Sequence, residues 1–226
     1  MTATSLLRSA GFSLALLASA AQAQHCADDA MIVFDGSGSM AELGFNLFDE
    51  PRIFTARRAV GRVIPEIAEL RRLGLVIYGP GGADRCAGVD LRFAPIDDAA
   101  PRIIGAVDGL QPDGDTALTD AVRLAAKVLG GQGTVVLVTD GKDTCGGEPC
   151  ALAEDLVGGD ARVTVHVIGF KVRGDFFDWD GPGDGAEIET VARCLADRTG
   201  GHYEATETAE ELIEAFRRTL GCDLMF

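Results

Sequence analysis

The sequence is short of cations. Lys and Arg number 20 against 35 Asp and Glu in 226 residues, a formal net charge of −15. Phosphate backbones and anionic lipid surfaces are gripped by clusters of Lys and Arg, so this balance argues against nucleic acid and anionic membrane as partners. The acidity itself serves solubility. Histidine, the commonest general base, is also scarce. Three histidines, His25, His166 and His202, are scattered along the chain, and His166 lies in an apolar run where a core role fits better than a ligand role. There is no Gly-x-Ser-x-Gly elbow around Ser37 or Ser39, no Walker lysine loop and no His-Glu-x-x-His. Asp35 is not followed two residues later by a second aspartate, as a phosphoaspartyl enzyme would want. The expectation from these absences is a protein that is not an enzyme.

Long apolar runs are missing too. Arg8, an apolar stretch over residues 11–20 and Ala21-Gln22-Ala23 make a secretory signal peptide over 1–23 rather than a membrane span, which needs about 20 apolar residues. The mature chain is then 24–226, secreted or periplasmic, and not membrane-spanning. Its six cysteines all follow residue 23, and an even count behind a signal peptide predicts disulfides. Zinc would need closely paired thiolates. Cys145 and Cys150 have four residues between them and no second pair to match.

What is present is an ordinary globular composition, 47% hydrophobic and 24% charged, enough for a full core. Continuous apolar runs at 30–34 and 134–138 read as strands buried on both faces. Further strands are expected at 73–78, 89–93, 163–168 and 202–204, and helices at 53–72 (kinked by Pro65), 101–110, 118–129, 149–157, 188–198 and 208–220. Thr208 and Glu211 form a capping box. The connection between 78 and 89 is too short for a crossover helix, so those two strands pair antiparallel. Alternating elements of this kind give an α/β three-layer sandwich, a doubly wound, mostly parallel sheet with one antiparallel edge strand, in a single domain.

Sites in open α/β sheets form at the carboxyl ends of strands. Two buried strands end in Asp35-Gly36 and Asp140-Gly141, so both aspartates belong to one sheet edge. Two carboxylates so placed repel unless a cation joins them. Asp35-Gly36-Ser37-Gly38-Ser39 adds two hydroxyls, and the loop Asp113-Gly114-Asp115-Thr116 adds another. All are hard oxygen donors, which select magnesium, calcium or manganese; few charges among several neutral oxygens favour magnesium.

These residues resemble the metal-ion-dependent adhesion site of von Willebrand factor A and integrin inserted domains, a likeness that extends over roughly residues 26–222. The resemblance implies that Ser37, Ser39 and Thr116 coordinate the metal, with Asp35 and Asp140 acting directly or through water. It implies one open coordination position for a carboxylate of a protein partner, and hence a divalent-metal-dependent protein-binding module of adhesion or assembly type. Asp115 departs from the family, which often carries glycine there, and would be an additional residue of the metal face. Because the two ends of this fold approach each other, Cys26 is expected to pair with Cys222. Cys145 and Cys150 are close enough in sequence to pair, which leaves Cys86 and Cys194.

Two other functions stay open: a magnesium-dependent hydrolase such as a phosphatase, and a structural subunit whose metal only braces the fold. The loop over 171–185 is rich in Asp and Gly, with Asp178 and Glu189 in partial register with a calcium loop. Its Phe176, Phe177 and Trp179 could anchor a partner.

Overall fold

The computed structural model describes residues 28–43, 50–81, 83–158, 160–170 and 193–221. The expected signal peptide, the Cys26–Cys222 pair and the 171–185 loop lie outside the described residues.

Six strands form one sheet in the order β3-β2-β1-β4-β5-β6. They are β1 (Ala30–Asp35), β2 (Leu73–Tyr78), β3 (Asp90–Ile96), β4 (Gln132–Thr139), β5 (Arg162–Phe170) and β6 (Tyr203–Thr206). All neighbours run parallel except β2 and β3, so the α/β sheet with one antiparallel edge is the one the sequence predicts. Helices α1 (Arg52–Ala68), α2 (Ala100–Asp108), α3 (Leu118–Val128), α4 (Pro149–Val157) and α5 (Ala209–Leu220) connect them. Residues 193–199 are also helical.

The pleat divides each central strand between two cores. Ala30, Ile32 and Phe34 of β1, with Val136 and Val138 of β4, pack under α1, α2 and α5. Met31 and Val33, with Val135 and Leu137, pack under α3, α4 and residues 195–196. Both faces are therefore covered, which is why β1 and β4 read as continuous apolar runs.

Three expectations shift. Helix α1 stops at Ala68, with Pro65 in its last turn. The carbonyl that Pro65 leaves without a donor belongs to Gly61, which is exposed and open to water, so the proline is tolerated. Strand β3 continues through Pro95 to Ile96, because an edge strand can leave one side of its ladder unpaired. Strand β6 ends at Thr206 because β5 reaches Phe170 and the two are in register. The capping box forms as expected: Thr208 accepts from the Glu211 amide, and Glu211 accepts from the Thr208 amide.

Candidate functional site

Strand β1 lies between β2 and β4, with α1 on one face and α3 on the other. Strand connections diverge there, and the strand ends open a crevice. The register sets Asp35 opposite Tyr78, and Phe34 opposite Val138. Asp35, Tyr78 and Thr139 thus stand level on three adjacent strands.

Asp35 is fully buried and its carboxylate is surrounded by donors. Its Oδ1 accepts from the Ser37 amide at 2.8 Å and from the Ser37 hydroxyl. Its Oδ2 accepts from the Tyr78 hydroxyl at 2.6 Å and the Asp140 amide at 3.3 Å, with the Thr139 hydroxyl 3.0 Å away. Burial, reinforced by the charge of Asp35, raises the Tyr78 phenol well above its ordinary range. Tyr78 therefore stays a donor.

From Asp35 a chain of oxygens leads across the crevice. Ser37 Oγ and Ser39 Oγ are 2.9 Å apart, and Ser39 donates to Asp140 Oδ1 at 2.6 Å. The Asp140 side chain is sealed from solvent. Burial pushes it up to about 7, and the charge of Asp35 adds to that; Ser39 and Arg52 pull the other way without prevailing. Mutual repulsion, expected from the sequence, is thus the second cause and desolvation the first.

The third loop is bound to the first by the backbone. Asp113 donates to the Gly36 carbonyl at 2.9 Å, and Gly38 to the Gly114 carbonyl at 3.1 Å. This close stacking depends on two glycines with left-handed backbones. Gly79 has φ +114°, and a Cβ there would lie 2.4 Å from the Ser37 nitrogen; Gly114 has φ +76°, and its Cβ would lie 1.9 Å from the Gly79 carbonyl oxygen. Thr116 is buried, with its hydroxyl 3.9 Å from the position a Cβ on Gly141 would take. All five residues singled out from the sequence, Asp35, Ser37, Ser39, Thr116 and Asp140, converge on this edge. Asp115 turns to Arg85, which donates to it from Nε at 2.9 Å.

The disulfides correct one expectation. Cys145 is bonded to Cys86 and Cys150 to Cys194, so Cys145 and Cys150 do not pair. Asp143 folds the intervening turn by accepting from the amides of Cys145 and Gly147, both at 2.9 Å. Cys150 sits in the first turn of α4, beside the helical stretch that carries Cys194. Closeness in sequence was the wrong guide because the turn and the helix send the two thiols to different neighbours.

Sequence reasoning missed Arg52. Its Nη1 donates to Asp140 Oδ2 at 3.1 Å and to the Ser39 carbonyl at 3.0 Å, while its Nε is buried with no hydrogen-bond partner. A cation at the first position of a helix opposes the helix dipole, and that local conflict was the available signal. Tyr78 was missed as well, although it too ends a buried strand.

The donor set suits a hard cation. Magnesium–oxygen bonds of about 2.0–2.1 Å put adjacent octahedral ligands about 2.9 Å apart, which is the 2.9 Å separation of the two serine oxygens. Among the described residues no group of three or more His, Cys, Asp or Glu side chains could hold a metal. A cation here would therefore rely on hydroxyls for part of its shell.

A doubly wound sheet with a carboxylate–hydroxyl crevice at the end of its central strand defines a recognisable class of α/β domain. A family model for the von Willebrand factor type A domain matches residues 30–142, and the chain belongs to that family. It is 26% identical over 199 residues to the uncharacterized protein YwmD of Bacillus subtilis (strain 168), covering 83% of this chain and 82% of that protein. Its fold is similar to an aerotolerance-related membrane protein from Bacteroides fragilis NCTC 9343 (TM-score 0.59, 19% identity, 85% of this chain and 98% of that one). It is also similar to the pilus adhesin SpaC of Lactobacillus rhamnosus GG (TM-score 0.65, 15% identity, 85% of this chain and 30% of that one). No helix among the described residues is long and apolar enough to cross a membrane. The two disulfides suit a compartment outside the cytoplasm.

Proposed function

We propose that the chain is a protein-binding module of adhesion or assembly type. Its crevice holds a divalent cation, magnesium first, with manganese and calcium as alternatives. The observation that carries this reading is the continuous run of oxygens from Asp35 through Ser37 and Ser39 to Asp140, with the Thr116 hydroxyl near Gly141, the residue after Asp140. When bound, the cation supplies a Lewis-acidic position that an acidic residue of the partner can complete. Ser37, Ser39 and Thr116 hold the cation, Asp35 fixes Ser37, and Asp140 fixes Ser39. The fold neighbour SpaC is a pilus adhesin, which agrees with a binding role.

The site binds rather than catalyses. His166 pairs with Val136 in mid-sheet, so it stands back from the strand ends, and Asp35 is already saturated with donors. The compartment is secreted or periplasmic, in line with the disulfides.

Thermal unfolding tests the cation. Millimolar magnesium or manganese raises the melting temperature through preferential binding to the native state, and Asp35→Ala abolishes the rise. Identical curves with metal and with chelator would refute it. Retention of a cell-envelope partner in magnesium but not in chelator tests the binding role, and equal retention in both would point instead to a metal that braces the fold. Turnover of generic phosphate esters would favour a hydrolase.

A further inference from the structure

The segment that carries Thr116 is held from two sides. On one side the Asp115 amide donates to the Arg85 carbonyl at 3.0 Å. Arg85 returns the contact through Nε to Asp115 Oδ1 at 2.9 Å, and its Nη1 is 3.8 Å from Asp113. On the other side the Thr116 amide donates to the Thr144 hydroxyl at 2.9 Å, and the Thr144 amide donates to the Thr116 carbonyl at 3.0 Å. The residues immediately after these two holders are Cys86 and Cys145, and they are joined by a disulfide. A covalent link therefore closes around the Thr116 segment, between the loop after β2 and the loop after β4.

We propose that the Cys86–Cys145 disulfide, with Arg85 and Thr144, is a clamp that positions Thr116 for the cation. The inference rests on the metal reading given above. Asp115 has its place in this arrangement: it is the handle that Arg85 grips rather than a further ligand. The loop after β2 connects a parallel strand to the antiparallel edge, and among the described residues Arg85 is where hydrogen bonds tie it to the Thr116 segment. Without the disulfide, that loop loses its covalent tie to the loop after β4; the bonds of Gly38 to Gly114 and of Thr119 to Asp143 remain, and the loosening falls on the Arg85 and Thr144 contacts that flank Thr116. Supports of this kind, one step removed from the metal, are worth about ten- to a hundredfold in metal affinity.

The test uses the mature chain and manganese alone as probe, with affinity read by electron paramagnetic resonance. Amide hydrogen exchange at Asp115 and Thr116 is read in the metal-free protein. Replacing both cysteines (Cys86→Ser with Cys145→Ser) is expected to weaken manganese about tenfold and to speed exchange at those two amides. Cys150→Ser with Cys194→Ser leaves both readouts within about twofold, since that disulfide lies outside the clamp. In a Thr116→Ala background the clamp variant loses no further affinity, because coupled groups are not additive. Thr144→Ala and Arg85→Ala weaken manganese in the same direction and keep the test available if the double-serine protein does not fold. Unchanged affinity and exchange in the clamp variants would overturn the proposal. So would a loss that is equal in the Cys150/Cys194 variant, or one that adds fully to Thr116→Ala. If the parent protein does not bind manganese, the metal reading falls, and slow exchange in the parent against fast exchange in the variants still decides whether the clamp exists.

Discussion

Arg52 donates from Nη1 to Oδ2 of Asp140 at 3.1 Å, which places a guanidinium inside a buried carboxylate cluster. The Arg52 side chain is 15% exposed and that of Asp140 is 0% exposed. Arg52→Gln leaves Asp140 without its counter-charge, and breaking a buried pair costs about 3–5 kcal/mol. The loss should fall at or below the low end, about 3 kcal/mol, because Asp140, already pushed up to about 7, can take a proton once Arg52 is gone. Urea unfolding in chelator measures it. If magnesium occupies the crevice as proposed, the loss shrinks in its presence, since the cation would also offset the Asp140 charge. An equal loss in both conditions would show that the cation and Arg52 do not share that carboxylate.

Tyr78→Phe removes the 2.6 Å donor to Asp35 Oδ2 and keeps the ring in the core. Hydrogen bonds to a charged acceptor contribute about 1.5–3 kcal/mol, so stability should fall by about 2 kcal/mol. A denaturation midpoint matching the parent would mean that another donor replaces the phenol.

Gly114→Ala tests the stacking of the loops. The new methyl would sit 1.9 Å from the Gly79 carbonyl oxygen, on a backbone with φ +76°. Left-handed strain alone costs about 1–3 kcal/mol, and the contact forces the Thr116 loop away. Calorimetry should show a lower melting temperature, and manganese titration a weaker site. A fully stable variant would indicate that the loop can tilt without penalty.

His166 gives the chain an acid limit. Burial first, then the neighbouring His202 and Arg71, lower it from 6.5 to about 4, and its Nδ1 accepts from the His202 amide at 3.0 Å. A lowered folded value means that unfolding takes up a proton between the two values. Stability is therefore full above pH 6.5 and declines as pH falls through that window toward 4. The side chain is partly solvated, so the contribution is about 1–2 kcal/mol after screening. Nuclear magnetic resonance titration should find His166 near 4, and His166→Gln should flatten the pH dependence of stability. Titration near 6.5 would remove the effect.

The sequence by itself determined the sheet and the convergence of its loops. Apolar runs without alternation required strands covered on both faces, and a strand ending in aspartate can only place that carboxylate at the sheet's carboxyl edge. Asp35, Ser37, Ser39 and Asp140 were readable for that reason, and Thr116 as the hydroxyl of a Gly- and Asp-rich loop whose role the family resemblance then specified. The tertiary structure alone decided what surrounds them. Arg52 reaches Asp140 across 88 positions, and Cys86 finds Cys145 across 59. Asp115 takes a hydrogen bond from Arg85 across 30 positions. Local periodicity carries no record of such pairings, because they depend on which loops the packed layers bring within bonding distance, and that is settled only when both cores have closed.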